Sequence, residues 1–264
     1  IITDNSYIIL NTYSAFYGQG YTITIQNVTN HEGLFELDGG KVMDVHVVSS
    51  SSTIASESGW IARTQAYGFI ENCSSNGAIP SKAGGIVGSN AALGSRRLEI
   101  KNCSTFGNIS SDAGGIIGEK AANNGTVIIK SCHSSGLING NNAGGITGGY
   151  TSINNGKTII DDCYSTGNIN GNYSNGIVGG YTDGTAGEIT VRNSYYIGSI
   201  TSGNIFLTLY PHPTVSLFFW PNTHITTLQL QQQQWHLCAL SAAPSRNQGE
   251  PVAAPLAALG SSTV

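Results

Sequence analysis

The stretch Ile129–Gly149, IKSCHSSGLINGNNAGGITGG, decides how this chain folds. It holds the end of an apolar strand, a cysteine, a glycine before a short apolar run, a polar turn, and an isoleucine flanked by glycines. Near copies precede it at Ile100–Gly118 (IKNCSTFGNISSDAGGIIG) and Ile70–Gly88 (IENCSSNGAIPSKAGGIVG). Another follows at Ile160–Gly180 (IDDCYSTGNINGNYSNGIVGG), and a decayed copy begins at Val191 (VRNSYYIGSI). The cysteine position falls at Cys73, Cys103, Cys132, Cys163 and then Ser194, so the period is 29 to 31 residues. A fixed period of this size marks a solenoid, in which no repeat buries its apolar face alone and stacking supplies a continuous core.

Within each copy the apolar residues before the cysteine alternate, as in Leu98 and Ile100, the spacing of a strand with one buried face. A glycine stands four residues after the cysteine position and an isoleucine six after (Gly107 and Ile109 in one copy). The GGI-x-G segment is a third apolar element. Three short strands per copy predict an all-β, three-faced parallel β-helix with coils of about 30 residues. Residues 1–66 read as diverged N-terminal coils and a cap, 67–203 as the regular repeats, and 204–264 as a non-repeat C-terminal segment. In the first part, GWIAR (Gly59–Arg63) aligns with GGIVG, HEGLFEL (His31–Leu37) reads as a short strand, and Asp38-Gly39-Gly40 as a turn. The last part has three readings: a cap on the open coil or a partner-binding segment, for which the apolar Ile205–Trp220 is suited, a disordered tail, which the Gln- and Pro/Ala-rich remainder resembles in composition, or an unrelated sequence joined to the repeats.

Composition narrows the function. Only 10% of the residues are charged and the net charge is −4, without the clustered basic stripe of a nucleic-acid surface. The most apolar window, Ile205–Trp220, is short for a membrane span and is broken by Pro211 and Pro213. No signal peptide is legible in the first residues. The recurrence of cysteine at one repeat position is read as a ladder of free, buried thiols acting as small apolar residues, with disulfides between adjacent rungs as the alternative that distance allows. Neither a CxxC pair nor paired histidines are present, so no metal and no cofactor are expected. The six histidines form no spacing motif and are expected at the surface or in loops. The residue before each cysteine position (Asn72, Asn102, Ser131, Asp162, Asn193) reads as a structural ladder at a left-handed bend. The residue one earlier (Glu71, Lys101, Lys130, Asp161, Arg192) is expected to face solvent with mixed sign.

The unit I/V-x-N-C-x-S/T-x-G-x-I…GGI-x-G resembles the GLUG-type repeats of secreted and cell-surface proteins, from Ile70 to about Ile200. The resemblance implies a right-handed β-solenoid displayed outside the cell, often within adhesin-like or surface-layer proteins. Some relatives carry peptidases, but neither HExxH nor GxSxG occurs here. The chain departs from the pattern at Ser194, in place of Cys, and at Ser174-Asn175, in place of Ala-Gly.

The expectation is therefore an extracellular structural or adhesive β-solenoid, with a self-assembling fibre or surface-layer subunit as its specific form. Its partners would be copies of itself, or cell-surface and glycan partners, with Lys101, Lys130 and Asp161 as candidate glycan contacts. The alternative is a polysaccharide lyase or glycosidase-like β-helix enzyme acting on acidic glycans, with Glu71, Asp161, Asp162 and Asp183 as outward carboxylates. Glycoside hydrolysis needs two carboxylates within about 5–9.5 Å. Glu71 and Asp161 lie three coils apart, roughly 14 Å at strand spacing. No catalytic residue is assigned. An ice-binding array at Ser75, Thr105, Ser134, Ser165 and Tyr196 ranks last, because the positions are irregular. N-x-S/T sequons occur at Asn27, Asn72, Asn102, Asn108, Asn124 and Asn172. Asn27, Asn108, Asn124 and Asn172 are the candidates for N-glycosylation, while ladder membership argues against Asn72 and Asn102.

Overall fold

The computed structural model describes residues 1–180 and 187–201, and every regular element among them is a β-strand. The predicted C-terminal segment with its apolar window, and the residues Asp183, His212, His224, His236 and Cys238, lie outside the described residues. What the chain forms is a parallel β-solenoid of about six turns with coils of ~29 residues.

One sheet holds eight strands: β1 (Ile8–Asn11), β2 (Ala15–Tyr17), β4 (Phe35–Met43), β6 (Tyr67–Glu71), β8 (Arg97–Lys101), β10 (Thr126–Lys130), β12 (Lys157–Asp161) and β14 (Glu188–Arg192). A second, seven-stranded sheet holds β3 (Thr22–Gln26), β5 (His46–Ser50), β7 (Ser74–Ser75), β9 (Ser104–Thr105), β11 (His133–Ser134), β13 (Tyr164–Ser165) and β15 (Tyr195–Tyr196). All pairs are parallel, and from β6 onward they are in register with the sequence repeat, as in Ile100↔Ile129↔Ile160↔Val191. The third side is thinner than three strands per copy would give. Its coils meet through single bridges, such as Gly84↔Gly114↔Gly144 and Val87↔Ile117↔Thr147, because glycine-rich segments turn too soon to extend a ladder. Another row of bridges joins Ile79, Ile109, Ile138, Ile169 and Ile200.

Stacked isoleucines make the core. Ile70, Ile100, Ile129 and Ile160 form one column, Ile79, Ile109, Ile138 and Ile169 a second, and Ile86, Ile116, Ile146 and Ile177 a third, all of them buried. Each buried side chain of this size contributes about 1.5–3 kcal/mol. The glycine four residues after the cysteine is a requirement of coil contact. A Cβ at Gly107 would lie 1.8 Å from the Gly77 carbonyl oxygen, and one at Gly136 1.8 Å from that of Gly107. The second glycine of GGI has a different neighbour: a Cβ at Gly115 would come within 2.5 Å of the Ser134 hydroxyl of the next coil.

The N-terminal coils follow the same plan. Gly59 bridges Gly84 and Ala62 bridges Val87, which is the predicted alignment of GWIAR with GGIVG. Trp60 replaces a glycine there and is fully buried, its Nε1–H donating to the Ala78 carbonyl at 3.1 Å. Two expectations fail in this part. Asp38-Gly39-Gly40 is not a turn: β4 runs through it with a register slip between Asp38 and Lys41, which Gly39 permits at φ 90°. His31–Leu37 is not one strand, since His31 makes an isolated bridge to Ile54 and the strand begins at Phe35.

Candidate functional site

The turn from the first sheet to the second is made by one residue per coil. Asp44, Asn72, Asn102, Ser131, Asp162 and Asn193 have φ of 57°, 54°, 53°, 52°, 54° and 48°. Asn and Asp tolerate this left-handed region best, which accounts for their repetition. The bend directs these side chains outward. Asn72 donates to the Asp44 carboxylate at 3.0 Å, and Asn193 to that of Asp161 at 3.1 Å.

Directly after the bend stand the cysteines, all buried and unbridged. They do more than fill space. The Cys73 N–H donates to the Cys103 sulfur at 3.4 Å, Cys103 N–H to Cys132 at 3.3 Å, and Cys132 N–H to Cys163 at 3.5 Å. Each thiol in turn donates to the carbonyl two residues before it, at 3.2 Å. Ser194 makes both bonds with its hydroxyl, accepting from Cys163 N–H at 3.1 Å and donating to the Arg192 carbonyl at 2.7 Å. The loss of cysteine in the last copy therefore leaves the ladder intact. Burial pushes the Cys103 thiol well up from its usual range, and the hydrogen bond with Cys132, together with burial, does the same for Cys163.

The proposed glycan contacts lie on the outer face of the first sheet in one register column, Glu71↔Lys101↔Lys130↔Asp161↔Arg192. Lys101 pairs with Glu71 at 3.0 Å and Asp161 with Arg192 at 2.9 Å. Lys130 has no ion pair among the described residues. Two of the three cations in the column are thus neutralised by an opposite charge on an adjacent strand, while Lys101 and Lys130 are neighbours of like sign. A carboxylate cluster that sequence reading missed lies on the third side. Glu119 is buried, with Lys120 at 2.9 Å and Lys82 at 3.5 Å, and Lys82 also reaches Glu57 at 3.8 Å. The Glu57 and Glu119 carboxylates are thus held by ion pairs with Lys82 and Lys120. The hydrogen bond to Glu119 raises the Lys120 pKa. Only alignment of the coils shows this cluster, because Glu57, Lys82 and Glu119 belong to three different repeats.

The hydroxyls considered as an ice-binding array are inside. Ser75, Thr105, Ser134 and Ser165 are buried, and the last three have no hydrogen-bond partner. They sit two residues after the cysteine, on the inward phase of the second sheet, which removes that reading. His31 corrects the expectation of surface histidines. It is fully buried, neither ring nitrogen has a partner, and burial beside Arg63 lowers its pKa from 6.5. Asn27, Asn108, Asn124 and Asn172 are exposed, and so, against expectation, are Asn72 and Asn102, because the left-handed bend turns them out.

Outward on the second sheet, one residue after the cysteine position, runs a row of rings. His133 stacks on Tyr164 with centroids 4.8 Å apart and planes 2° from parallel. Tyr164 stacks on Tyr195 at 5.3 Å and 6°. Phe106 stands outside the stack, edge-on to His133 at 81°, and about half its surface is open to solvent. Comparison with family models, curated proteins and solved structures finds no match to this chain. What the chain is, on its own geometry, is a repeat protein of the parallel β-solenoid class.

Proposed function

We propose that this chain is an extracellular structural or adhesive solenoid, of the kind the GLUG-type resemblance implies, and that it assembles end to end. The observation that carries the proposal is that the repeated columns all join one coil to the next through parallel edges, as in Ile100↔Ile129↔Ile160↔Val191. Among the described residues β1 and β2 pair only with β4, while Ile2 bridges the outer edge of β3 at Ile25. Ile8, Ile9 and Tyr17 on β1 and β2 are exposed, as is Tyr21 just before β3, and an apolar cavity of about 230 Å³ opens among Ile2, Tyr7, Ile8, Phe16, Ile23 and Phe35. Unpaired parallel edges backed by apolar side chains form a template for another coil. Head-to-tail stacking of such ends is heterologous and yields filaments. The residues that define the repeat support a scaffold role, because cysteine, glycine, isoleucine and the bend residue are all engaged in joining coil to coil.

Electron microscopy and light scattering of the purified chain test this. Filaments or concentration-dependent oligomers, dispersed by Ile8→Lys with Tyr21→Lys, are expected. A monodisperse monomer that also adheres to no glycan or cell surface would remove the proposal. Turnover of an acidic polysaccharide, lost on Lys82→Ala or Glu119→Gln, would establish the enzymatic alternative instead.

A further inference from the structure

We propose that the outer face of the second sheet, from β7 to β15, binds a neutral polysaccharide laid along the solenoid axis, with Phe106, the His133–Tyr164–Tyr195 ring row and the Asn108 and Asn168 amides as its contacts. This rests on the adhesive part of the function above and goes further in naming the face and the ligand class.

The face consists of positions one, three and five after each cysteine position, from Ser74 to Ser199. It contains no Lys, Arg, Asp or Glu, whereas the outer column of the neighbouring sheet is charged at every coil, with Glu71, Lys101, Lys130, Asp161 and Arg192. A surface without formal charge complements a ligand without formal charge. An acidic glycan or a nucleic acid requires cations, and those among the described residues stand off this face, mostly paired with carboxylates, as Lys101 with Glu71 and Lys157 with Glu188. The groups that the face does present are rings and neutral hydrogen-bonding groups. Tyr195 and Ile197 are exposed, and Phe106 is the ring not consumed in stacking. Tyrosine joins an apolar ring to a polar tip, which suits a sugar with C–H faces and hydroxyl edges.

The amides are held in place. Asn108 Oδ1 accepts the Leu137 N–H at 3.2 Å, and Asn168 Oδ1 accepts the Ser199 N–H at 3.0 Å. With the oxygen fixed, each Nδ2 keeps donors in a set orientation. The ring row repeats along the axis at the coil spacing of ~4.8 Å and the two amides stand two coils apart, a geometry that favours an extended chain over a single small molecule. In the column three after the cysteine Ser135 and Thr166 separate Phe106 from Ile197, and in the column five after it Asn108 and Asn168 flank the exposed Leu137, so polar side chains interrupt the apolar ones along both columns.

The test uses the full chain made in a host that does not N-glycosylate, because Asn108 lies within a sequon on this face. Affinity electrophoresis and calorimetry against mannan, a soluble β-glucan, chitohexaose and polygalacturonate supply the ligands. Retardation by at least one neutral glycan, insensitive to added salt, is expected. Phe106→Ala should weaken it roughly tenfold. Asn168→Asp, which keeps the acceptor for Ser199 but exchanges the donor for a charge, should weaken it comparably with the fold intact by circular dichroism. Lys130→Ala should leave it unchanged. Binding of polygalacturonate alone with dependence on Lys130, or no retardation by any glycan, would overturn the proposal. So would a face-to-face dimer dispersed by Phe106→Ala, which would make a second copy the occupant. Filaments without glycan binding would leave end-to-end assembly standing and remove only this inference.

Discussion

Replacing Cys103 separates two roles for the cysteine ladder. If the thiol were only a small apolar filler, alanine would be a better substitute than serine, since a buried hydroxyl is costly. The structure gives the reverse order. Cys103→Ala removes the acceptor of the Cys73 N–H (3.4 Å) and the donor to the Lys101 carbonyl (3.2 Å). An orphaned buried amide costs about 1–3 kcal/mol. Loss of the buried sulfur adds about 1 kcal/mol, so alanine should destabilise by about 2–4 kcal/mol. Cys103→Ser retains both bonds in the arrangement already made by Ser194, with a cost of about 1 kcal/mol. Solenoid stability is a sum of repeat and interface terms, so a global urea midpoint is best joined to a local measurement. Amide hydrogen exchange at Cys73 is that measurement: protection should fall strongly in the alanine variant and little in the serine variant. Alanine equal to or more stable than serine, with exchange at Cys73 unchanged, would refute the hydrogen-bonded ladder.

Other outcomes follow from the same contacts. Gly107→Ala places a methyl 1.8 Å from the Gly77 carbonyl oxygen and should cost about 3 kcal/mol, whereas Gly94→Ala, with open space around it at φ 68°, should cost about 1–2 kcal/mol by thermal or urea unfolding. Ser134→Ala removes a buried hydroxyl that has no partner and should raise stability by about 1 kcal/mol; a loss of similar size would show that the hydroxyl is bonded. His31 gives an acid dependence with a definite sign. Its folded pKa lies below 6.5, so the unfolded chain binds the proton first as pH falls. The contribution of neutral His31 is present above about pH 6.5 and is lost below it at up to about 1.4 kcal/mol per pH unit, until the folded pKa is reached. Denaturation at pH 7 and pH 5 should show this loss in the wild type and a smaller one in His31→Leu; equal slopes would refute it. Lys101→Ala breaks a half-exposed pair with Glu71 and should change the unfolding free energy by less than about 1 kcal/mol.

The sequence by itself determined the repeat, its period and its register. Those follow from identities that recur at fixed offsets: cysteine, the glycine four later, the isoleucine six later and the residue at the bend each mark one column of a stack. Where a repeat is broken by a different residue, the pattern misled. Asp38-Gly39-Gly40 has the local chemistry of a turn, yet pairing of β4 with strands on both sides holds it in a bulge. His31 has no offset pattern, and its burial is set by packing between coils. The cysteines were legible as a ladder but not as hydrogen-bonded, because the sulfur contacts are made between atoms 29 to 31 residues apart. Tertiary structure alone decided which outward residues share a face. It neutralised Lys101 with Glu71, turned Ser134 and Ser165 inward, and brought Phe106, His133, Tyr164 and Tyr195 together. The stack multiplies each single-residue choice along its axis, so the surface is read down the columns rather than along the chain.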